Sequence, residues 1–450
     1  MVLLTYVQIL PSGAPPAAGL VLAPFRGLRY AQDRVSGLAE VTSPPYDVIA
    51  HDAEDHLLAS DPHNIVRLIL PRQNAHNPRA RNGARTEPAY ADAARLLRDW
   101  QDEGILVPDP VPALYVYEQA LADGHVLQRG LIGALRLAPL GAGPVLPHED
   151  VIPGPVAGRR QLMEVTGANL EPIFLLYDGN GPATATAQIT GQVPRGEALV
   201  TVHTEDGIWH RLWGVTDPAE QAAITADMAS YQALIADGHH RYAAYLQLQA
   251  RKRTAGAGPG PWDAGLALLV DSTAFPPRIG AIHRVVPGLC PATAARLAEP
   301  AFTVRALPGV TKQEALATLH EAGERHTAFL VAGGQDFYLL TDPDPAAVKD
   351  AMPDRSDRWR ALSAAVMQEL LLGRLWQVKD DDQHVEIHHD ADEALRSAAQ
   401  AADRTAVICP ALSADVVRDV AAHGERVPRK STSFAPKPRT GLVLRSFALG

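Results

Sequence analysis

The run Leu234-Ile235-Ala236-Asp237-Gly238-His239-His240-Arg241-Tyr242 gathers the groups that anion chemistry needs. A short apolar stretch ends in Asp-Gly, and residues compatible with a helix begin at once. The first peptide N–H groups of a helix have no partner within it, and the macrodipole adds positive potential there. A strand-to-helix junction is therefore a natural seat for an anion. Gly238 lets a ligand come close to the backbone. His239, His240 and Arg241 add donors where a phosphate would sit, and Asp237 is placed to hold a metal or orient a hydroxyl. The same residues also read as an ordinary turn in which Asp237 caps the helix and the histidines are incidental.

Other segments carry chemical groups at short spacing. In Thr42-Ser43-Pro44-Pro45-Tyr46-Asp47-Val48-Ile49 two prolines stiffen the chain and present an aromatic and a carboxylate, either as the rim of a site or as a surface turn. Pro147-His148-Glu149-Asp150, followed by Arg159-Arg160, offers acid and base for metal coordination or proton transfer, or is a solvated loop. Near the end, Val427-Pro428-Arg429-Lys430-Ser431-Thr432-Ser433-Phe434-Ala435-Pro436-Lys437-Pro438 is a cationic stretch in an acidic protein. Arg429, Lys430 and Lys437 there are candidate phosphate ligands. His384, His388, His389 and Asp390 have histidine-rich spacing, but on a strand His388 and His389 would face opposite sides, which argues against a metal site. Walker A, GxGxxG and GxSxG patterns are absent.

The elements that must position these groups follow from periodicity. Strands are expected at Ala113–Gln119 and its hairpin partner Arg129–Leu137, at Ile173–Tyr177, Ala233–Ala236, Leu266–Asp271, His384–His388 and Ala406–Pro410. The stretches His63–Leu68 and Gly441–Leu444 also read as strands. Helices are expected at Ala89–Glu103, Ala222–Gln232, His239–Arg251, Val310–His320, Asp357–Trp376, Asp390–Ala402 and Ser413–His423. Pro71–Pro88 and Thr254–Pro261 read as loops able to close over a ligand, and Met1–Leu10 as an extended lead-in or an edge strand. The mixture predicts an α/β to α+β protein, mixed sheets with flanking helices. Its length predicts lobes at 1–110, 111–290 and 291–450.

A hydrophobic fraction of 46% supports a sizeable core, and the formal net charge of −10 argues against a nucleic-acid partner. Two distant cysteines, Cys290 and Cys409, make neither a disulfide framework nor a zinc knuckle. With no apolar run long enough to span a bilayer, the expected location is cytoplasmic, without a membrane partner.

Together, Ala23-Pro24-Phe25-Arg26-Gly27-Leu28-Arg29, Pro44–Val48, Pro112–Tyr117, His148-Glu149, Glu171–Leu175, Ile235–Tyr242, Arg284-Val285-Val286 and Pro428–Thr432 resemble, in order and rough spacing, the domain-of-unknown-function family ten-fifteen. The Asp-Gly-His-His-Arg stretch is similar to the phosphate-binding segment of the ParB/sulfiredoxin-like superfamily. That superfamily contains free-serine kinases, and the family has been linked to the same activity. The resemblance implies a ParB/sulfiredoxin-like nucleotide-binding core with additional lobes. It also implies a kinase that transfers phosphate from ATP or ADP to a small hydroxylated amino acid, first of all free L-serine. Gly238, His239, His240 and Arg241 would hold the nucleotide phosphates. Glu149 would be the base, with Asp237 as its alternative. Tyr46 and Asp47 would line the pocket, and Arg429, Lys430 and Ser431 would hold phosphate or the acceptor carboxylate. Mg2+ is the expected cofactor, with ligands not assignable from sequence, and a homodimer is compatible with this reading. The chain departs from the family pattern after His148-Glu149, where most of a dense charged run is missing, and at Phe434-Ala435-Pro436-Lys437, where an aromatic is replaced by Ala435. These departures favour, as second reading, a non-catalytic nucleotide-binding regulatory protein.

Overall fold

The computed structural model describes residues 19–49, 51–72, 87–141, 143–381 and 383–449. The expected lead-in at Met1–Leu10 and most of the Pro71–Pro88 loop lie outside these residues. A large mixed sheet is built from β1 (Leu22–Ala23), β2 (Leu114–Leu121), β3 (Val126–Arg136), β4 (Val145–Leu146), β5 (Ile173–Tyr177), β6 (Val200–His203), β7 (Ile208–Val215), β8 (Ala233–Asp237) and β9 (Ala264–Asp271). Its order is β4-β8-β5-β9-β3-β2-β7-β6, with β1 beside β3. Only β4 with β8 and β5 with β9 run parallel.

Both faces of this sheet are covered, which is why β5 and β8 read as unbroken apolar runs. Tyr115, Tyr117, Phe174, Leu176 and Leu234 join one core cluster. Val116, Ile173, Leu175 and Ile235 join the other, with Tyr242, Tyr245 and Leu248 of helix α2 (His239–Thr254). Burial of a large apolar side chain contributes about 1.5–3 kcal/mol, so this stripe holds α2 against the sheet. Helix α1 (Pro153–Thr166), which no periodicity announced, packs beside it.

A second, antiparallel sheet carries Thr303–Ala306, Asp336–Thr341, Ala328–Gly333, Arg404–Ile408, His283–Pro287 and Glu386–His388, in that order. Small sheets tie the ends of the chain inward: Leu444–Ser446 pairs with Gly27–Tyr30, and Ser433–Ala435 with Arg278–Gly280. The expected mixed-sheet α/β class is therefore the class observed. Among the described residues no helix is long and apolar enough to cross a membrane.

Three element expectations are corrected. His63–Leu68 is not a strand: Val66–Ile69 is a helical turn, because Asn64 Oδ1 accepts the Val66 N–H at 2.9 Å and starts a turn instead. Asp357–Trp376 is not one helix. It breaks at Leu362, whose backbone is extended, and resumes as Ser363–Ala365 and a π-helical Val366–Leu375. Trp359 is buried and its indole donates to the Arg426 carbonyl at 2.6 Å, so a tertiary anchor overrides the helical period. Of Gly441–Leu444, only Leu444 belongs to a strand.

Candidate functional site

Strand β8 does not run straight into its turn. Its register with β5 shifts between Ile235 and Asp237, and such a bulge re-aims the side chain that follows it. Gly238 then takes φ +95°, and a Cβ there would lie 3.0 Å from Ile173 Cγ2 and 3.1 Å from Arg241 Nε. Glycine is required on both counts. Helix α2 starts at His239 with Gly238 as its cap, and no side chain caps it. Asp237 is thus not the capping residue of an ordinary turn, and the first N–H groups of α2 are left to the cleft that residues 238–241 line.

The cleft, of about 260 Å³, draws residues from both ends and the middle of the chain. Arg241, 4% exposed, pairs with Asp237 Oδ2 and donates from Nη1 to the Pro172 carbonyl at 2.5 Å. Lys437 Nζ lies 2.5 Å from Asp237 Oδ1 and 2.8 Å from Asp47 Oδ2. Each Asp237 oxygen therefore faces a cation. Burial works to raise the Asp47 carboxyl, but Lys437 and Arg241 outweigh it and hold the group well below the usual range. Lys437 and Arg241 are both held further above their usual values by these carboxylates, in spite of burial. Tyr46 donates its N–H to Glu171 Oε1 at 3.0 Å, and its ring lies under the Arg159 guanidinium, 4.2 Å from the centroid.

Glu149 differs from these paired acids. It is half-buried and lines the cleft; burial raises its carboxyl, partly offset by Lys430, whose charge and backbone N–H both favour the ionised form. A carboxyl with a raised pKa is suited to accept a proton near neutral pH.

The histidines are neutral. Burial lowers His148 and His240 to about 4, and lowers His239 well below its ordinary value. Nδ1 of His148 donates to the Ile235 carbonyl at 2.7 Å, so its Nε2 accepts from the Thr432 hydroxyl at 2.9 Å. Nε2 of His239 accepts the His148 N–H at 3.3 Å, and Nε2 of His240 accepts the Ile152 N–H at 3.0 Å. Each of these two rings keeps Nδ1–H as its remaining donor, so they present neutral donors rather than positive charge.

The C-terminal segment is fastened along its length. Arg284, 1% exposed and ion-paired to Asp380 at 3.2 Å, donates to the Arg429 carbonyl at 3.1 Å. The next residue, Lys430, sits at φ +52°, a conformation that non-glycine residues adopt where surroundings enforce it. Gln128 and Gln119 on the β2–β3 hairpin donate to the carbonyls of Pro436 at 2.9 Å and Lys437 at 3.1 Å. Tyr117 Oη accepts the Arg439 N–H at 3.1 Å.

Of the residues predicted from sequence, Tyr46, Asp47, Glu149, Asp237, Gly238, His239, His240, Arg241, Arg429 and Lys430 all line this one cleft. Ser431 does not: it is 5% exposed, and its Oγ has no hydrogen-bond partner among the described residues. Its neighbour Thr432 lines the cleft instead. Two further groups escape the sequence reading. Glu171, 4% exposed, sits behind Tyr46 and Arg241, and an acidic residue at the entry of a fully apolar strand is its one signal. His389, which the sequence groups with the histidine-rich stretch, lines the cleft. No group of three or more His, Cys, Asp or Glu side chains among the described residues is placed to hold a metal ion by itself.

Among curated proteins, none matches this sequence. Solved structures similar to it include a free serine kinase in complex with AMP, at 16% identity and TM-score 0.33, covering 65% of this chain and 84% of that one. SbnI with C-terminal truncation from Staphylococcus aureus has 12% identity and TM-score 0.34, with 68% and 84% covered. A conserved hypothetical protein from Pyrococcus furiosus has 12% identity and TM-score 0.33, with 68% and 94% covered. A family model spans residues 22–370, most of the chain, and the chain therefore belongs to the family described as protein of unknown function (DUF1015).

Proposed function

We propose that this protein is a nucleotide-dependent small-molecule kinase that transfers a phosphoryl group from ATP or ADP to the hydroxyl of an amino acid, with free L-serine as the first acceptor to test. The observation that carries this reading is one cleft holding an uncapped helix start, the ammonium-bearing residues Lys430 and Lys437, and a half-buried carboxyl, Glu149. Phosphoryl transfer needs positioning and charge neutralisation more than covalent chemistry. The N–H groups at residues 239–241 and the neighbouring cations would hold the phosphates, and Asp237 would fix Arg241 and Lys437. Glu149 is the base of choice over Asp237, because both Asp237 oxygens are already engaged by cations. The acceptor oxygen bonds to phosphorus, the bond from phosphorus to the departing nucleotide oxygen breaks, and the acceptor proton passes to Glu149.

The choice of serine rests on the family resemblance. An amino acid in general is supported by the cations Arg429 and Lys430 on the cleft wall, which would hold the acceptor carboxylate. Magnesium fits only as an ion carried on the nucleotide phosphates with at most a carboxylate from the protein, since Asp47 and Asp237 both face Lys437 and no three-ligand group is present among the described residues.

The test is nucleotide consumption by purified protein with Mg2+, ATP and ADP tried separately, with and without L-serine, and phosphoserine read by mass spectrometry. Product formation lost in Glu149→Gln supports the kinase. Nucleotide binding without transfer to any of a panel of hydroxylated amino acids supports the non-catalytic regulatory protein, a reading favoured by the loss of charged residues between Asp150 and Arg159.

A further inference from the structure

We infer that Lys437 is the residue whose ammonium binds the terminal phosphate of the bound nucleotide, held until then between two carboxylates. The inference rests on the functional reading above and adds a named contact to it. Three observations lead there.

First, the backbone around Lys437 is fixed independently of its side chain. The carbonyls of Pro436 and Lys437 accept from Gln128 and Gln119, and the N–H of Arg439 donates to Tyr117. Those partners sit on the central hairpin of the large sheet, so the loop does not depend on the ion pairs for its course.

Second, the side chain is committed to the cleft. Nζ reaches Asp237 and Asp47, which arrive from opposite parts of the chain, and the side chain remains 16% exposed. A lysine held from two sides by carboxylates is oriented and charged at any working pH, but it keeps a flexible four-carbon stem.

Third, Asp237 lies two residues before His239, where α2 starts behind Gly238 without a side-chain cap. The ammonium therefore lies beside the N–H groups that an incoming phosphate would meet. Phosphate oxygens arriving there compete with Asp47 and Asp237 for the same cation. In phosphoryl transfer the charge on the equatorial oxygens of the moving group is what a positioned cation stabilises. Lys437 exchanges no proton in this role: the acceptor proton still goes to Glu149.

The experiment uses the full chain, with calorimetric titration of ATP, ADP and AMP into wild type, Lys437→Met and Lys437→Cys, the last also after aminoethylation with 2-bromoethylamine, which rebuilds an ammonium at nearly the same reach. Melting temperatures confirm that each variant is folded, and wild type treated with the same reagent is the control. The expected result is that Lys437→Met weakens ATP about tenfold relative to AMP, and that aminoethylated Lys437→Cys regains the wild-type ratio. Where wild type turns over, kcat should fall about 100-fold in Lys437→Met and recover in the aminoethylated protein. An unchanged ATP-to-AMP ratio in folded Lys437→Met, with wild type binding nucleotide, overturns the role of Lys437 and leaves the nucleotide site standing. Absence of nucleotide binding by wild type overturns both. If Lys437→Met does not fold, the aminoethylated and untreated Lys437→Cys proteins give the same comparison; equal ratios in those two overturn the inference.

Discussion

Thr432 donates its hydroxyl hydrogen to Nε2 of His148 across 2.9 Å, and the direction of that bond is dictated from the far side of the ring. Because the Ile235 carbonyl can only accept, Nδ1 of His148 must carry the hydrogen and Nε2 must be the acceptor. The His148 carbonyl also accepts the Val427 N–H at 2.8 Å. One buried imidazole thereby joins the end of β8, the loop bearing Glu149 and the C-terminal cationic segment.

His148→Ala should accordingly destabilise the fold by about 2–4 kcal/mol, through a cavity and newly unpaired polar groups. Thr432→Val should cost about 1 kcal/mol. Urea unfolding followed by tryptophan fluorescence measures both. A loss under ~0.5 kcal/mol for His148→Ala, within the range of an ordinary surface substitution, would mean that this ring does not hold the three segments together.

Acid should weaken the protein before ordinary carboxylates titrate. His148, His240 and His389 are lowered to about 4 by burial, whereas an unfolded histidine titrates near ~6.5. Between those values the unfolded chain binds more protons than the native one, so stability falls as pH drops through this window, and the loss is complete below the native value. Glu149 and Glu171, raised by burial, act in the opposite direction. The histidine contribution is therefore read as a difference: the fall in melting temperature from about pH 7 to about pH 4.5 should be shallower in His148→Gln than in wild type. Identical slopes would refute the assignment to His148.

Glu149→Gln should bind nucleotide within a few-fold of wild type and lose transfer by about 10²–10⁴-fold, the usual range for a general base. Equal losses of binding and transfer would place Glu149 on the nucleotide instead. Steady-state kinetics beside calorimetric binding separates the two.

Arg241→Ala is a less direct probe of phosphate binding than its place in the motif implies. Arg241 is buried against Asp237 and the Pro172 carbonyl, with Glu171 close enough to shift it. Removing one partner of a buried pair costs about 3–5 kcal/mol, so the variant should melt markedly lower whatever its activity. A melting temperature within about 1 °C of wild type, a change worth only about 1 kcal/mol for a chain of this length, would show that the pair carries little of the fold.

Gly238→Ala tests the junction itself. The residue sits at φ +95° with neighbours at 3.0 and 3.1 Å, so an added Cβ should cost about 1–3 kcal/mol and displace the start of α2. Chemical unfolding checks the cost. A neutral effect would mean that the turn relaxes freely.

The strand-turn-helix unit at 233–254 was legible because its signals are local: an apolar run, a glycine at the break, then a helical stripe that includes Tyr242 and Tyr245. The same holds for β5 and for the β2–β3 hairpin. What misled was of two kinds, one local and one tertiary. His63–Leu68 has the composition of a strand, but Asn64 captures the Val66 N–H and turns the chain. The single helix expected from 357 to 376 is interrupted because Trp359 is tied to the Arg426 carbonyl, a partner that no window of sequence contains.

The candidate site divides in the same way. Residue types and neighbours along the chain placed a glycine-broken helix start at Asp237 to Arg241, made 429–437 cationic, and put acid and base at His148-Glu149. Only the tertiary structure decided that these segments meet with Tyr46 and Asp47 in one cleft. It also decided that Lys437 lies between Asp47 and Asp237, that the histidines are neutral, and that Ser431 is buried while Thr432 reaches the cleft. The physical reason is range. Helix starts and turns depend on hydrogen bonds a few residues apart, whereas the charge state and partner of a buried group depend on whatever the packing of two distant sheet edges and the C-terminal segment places within about 3 Å of it.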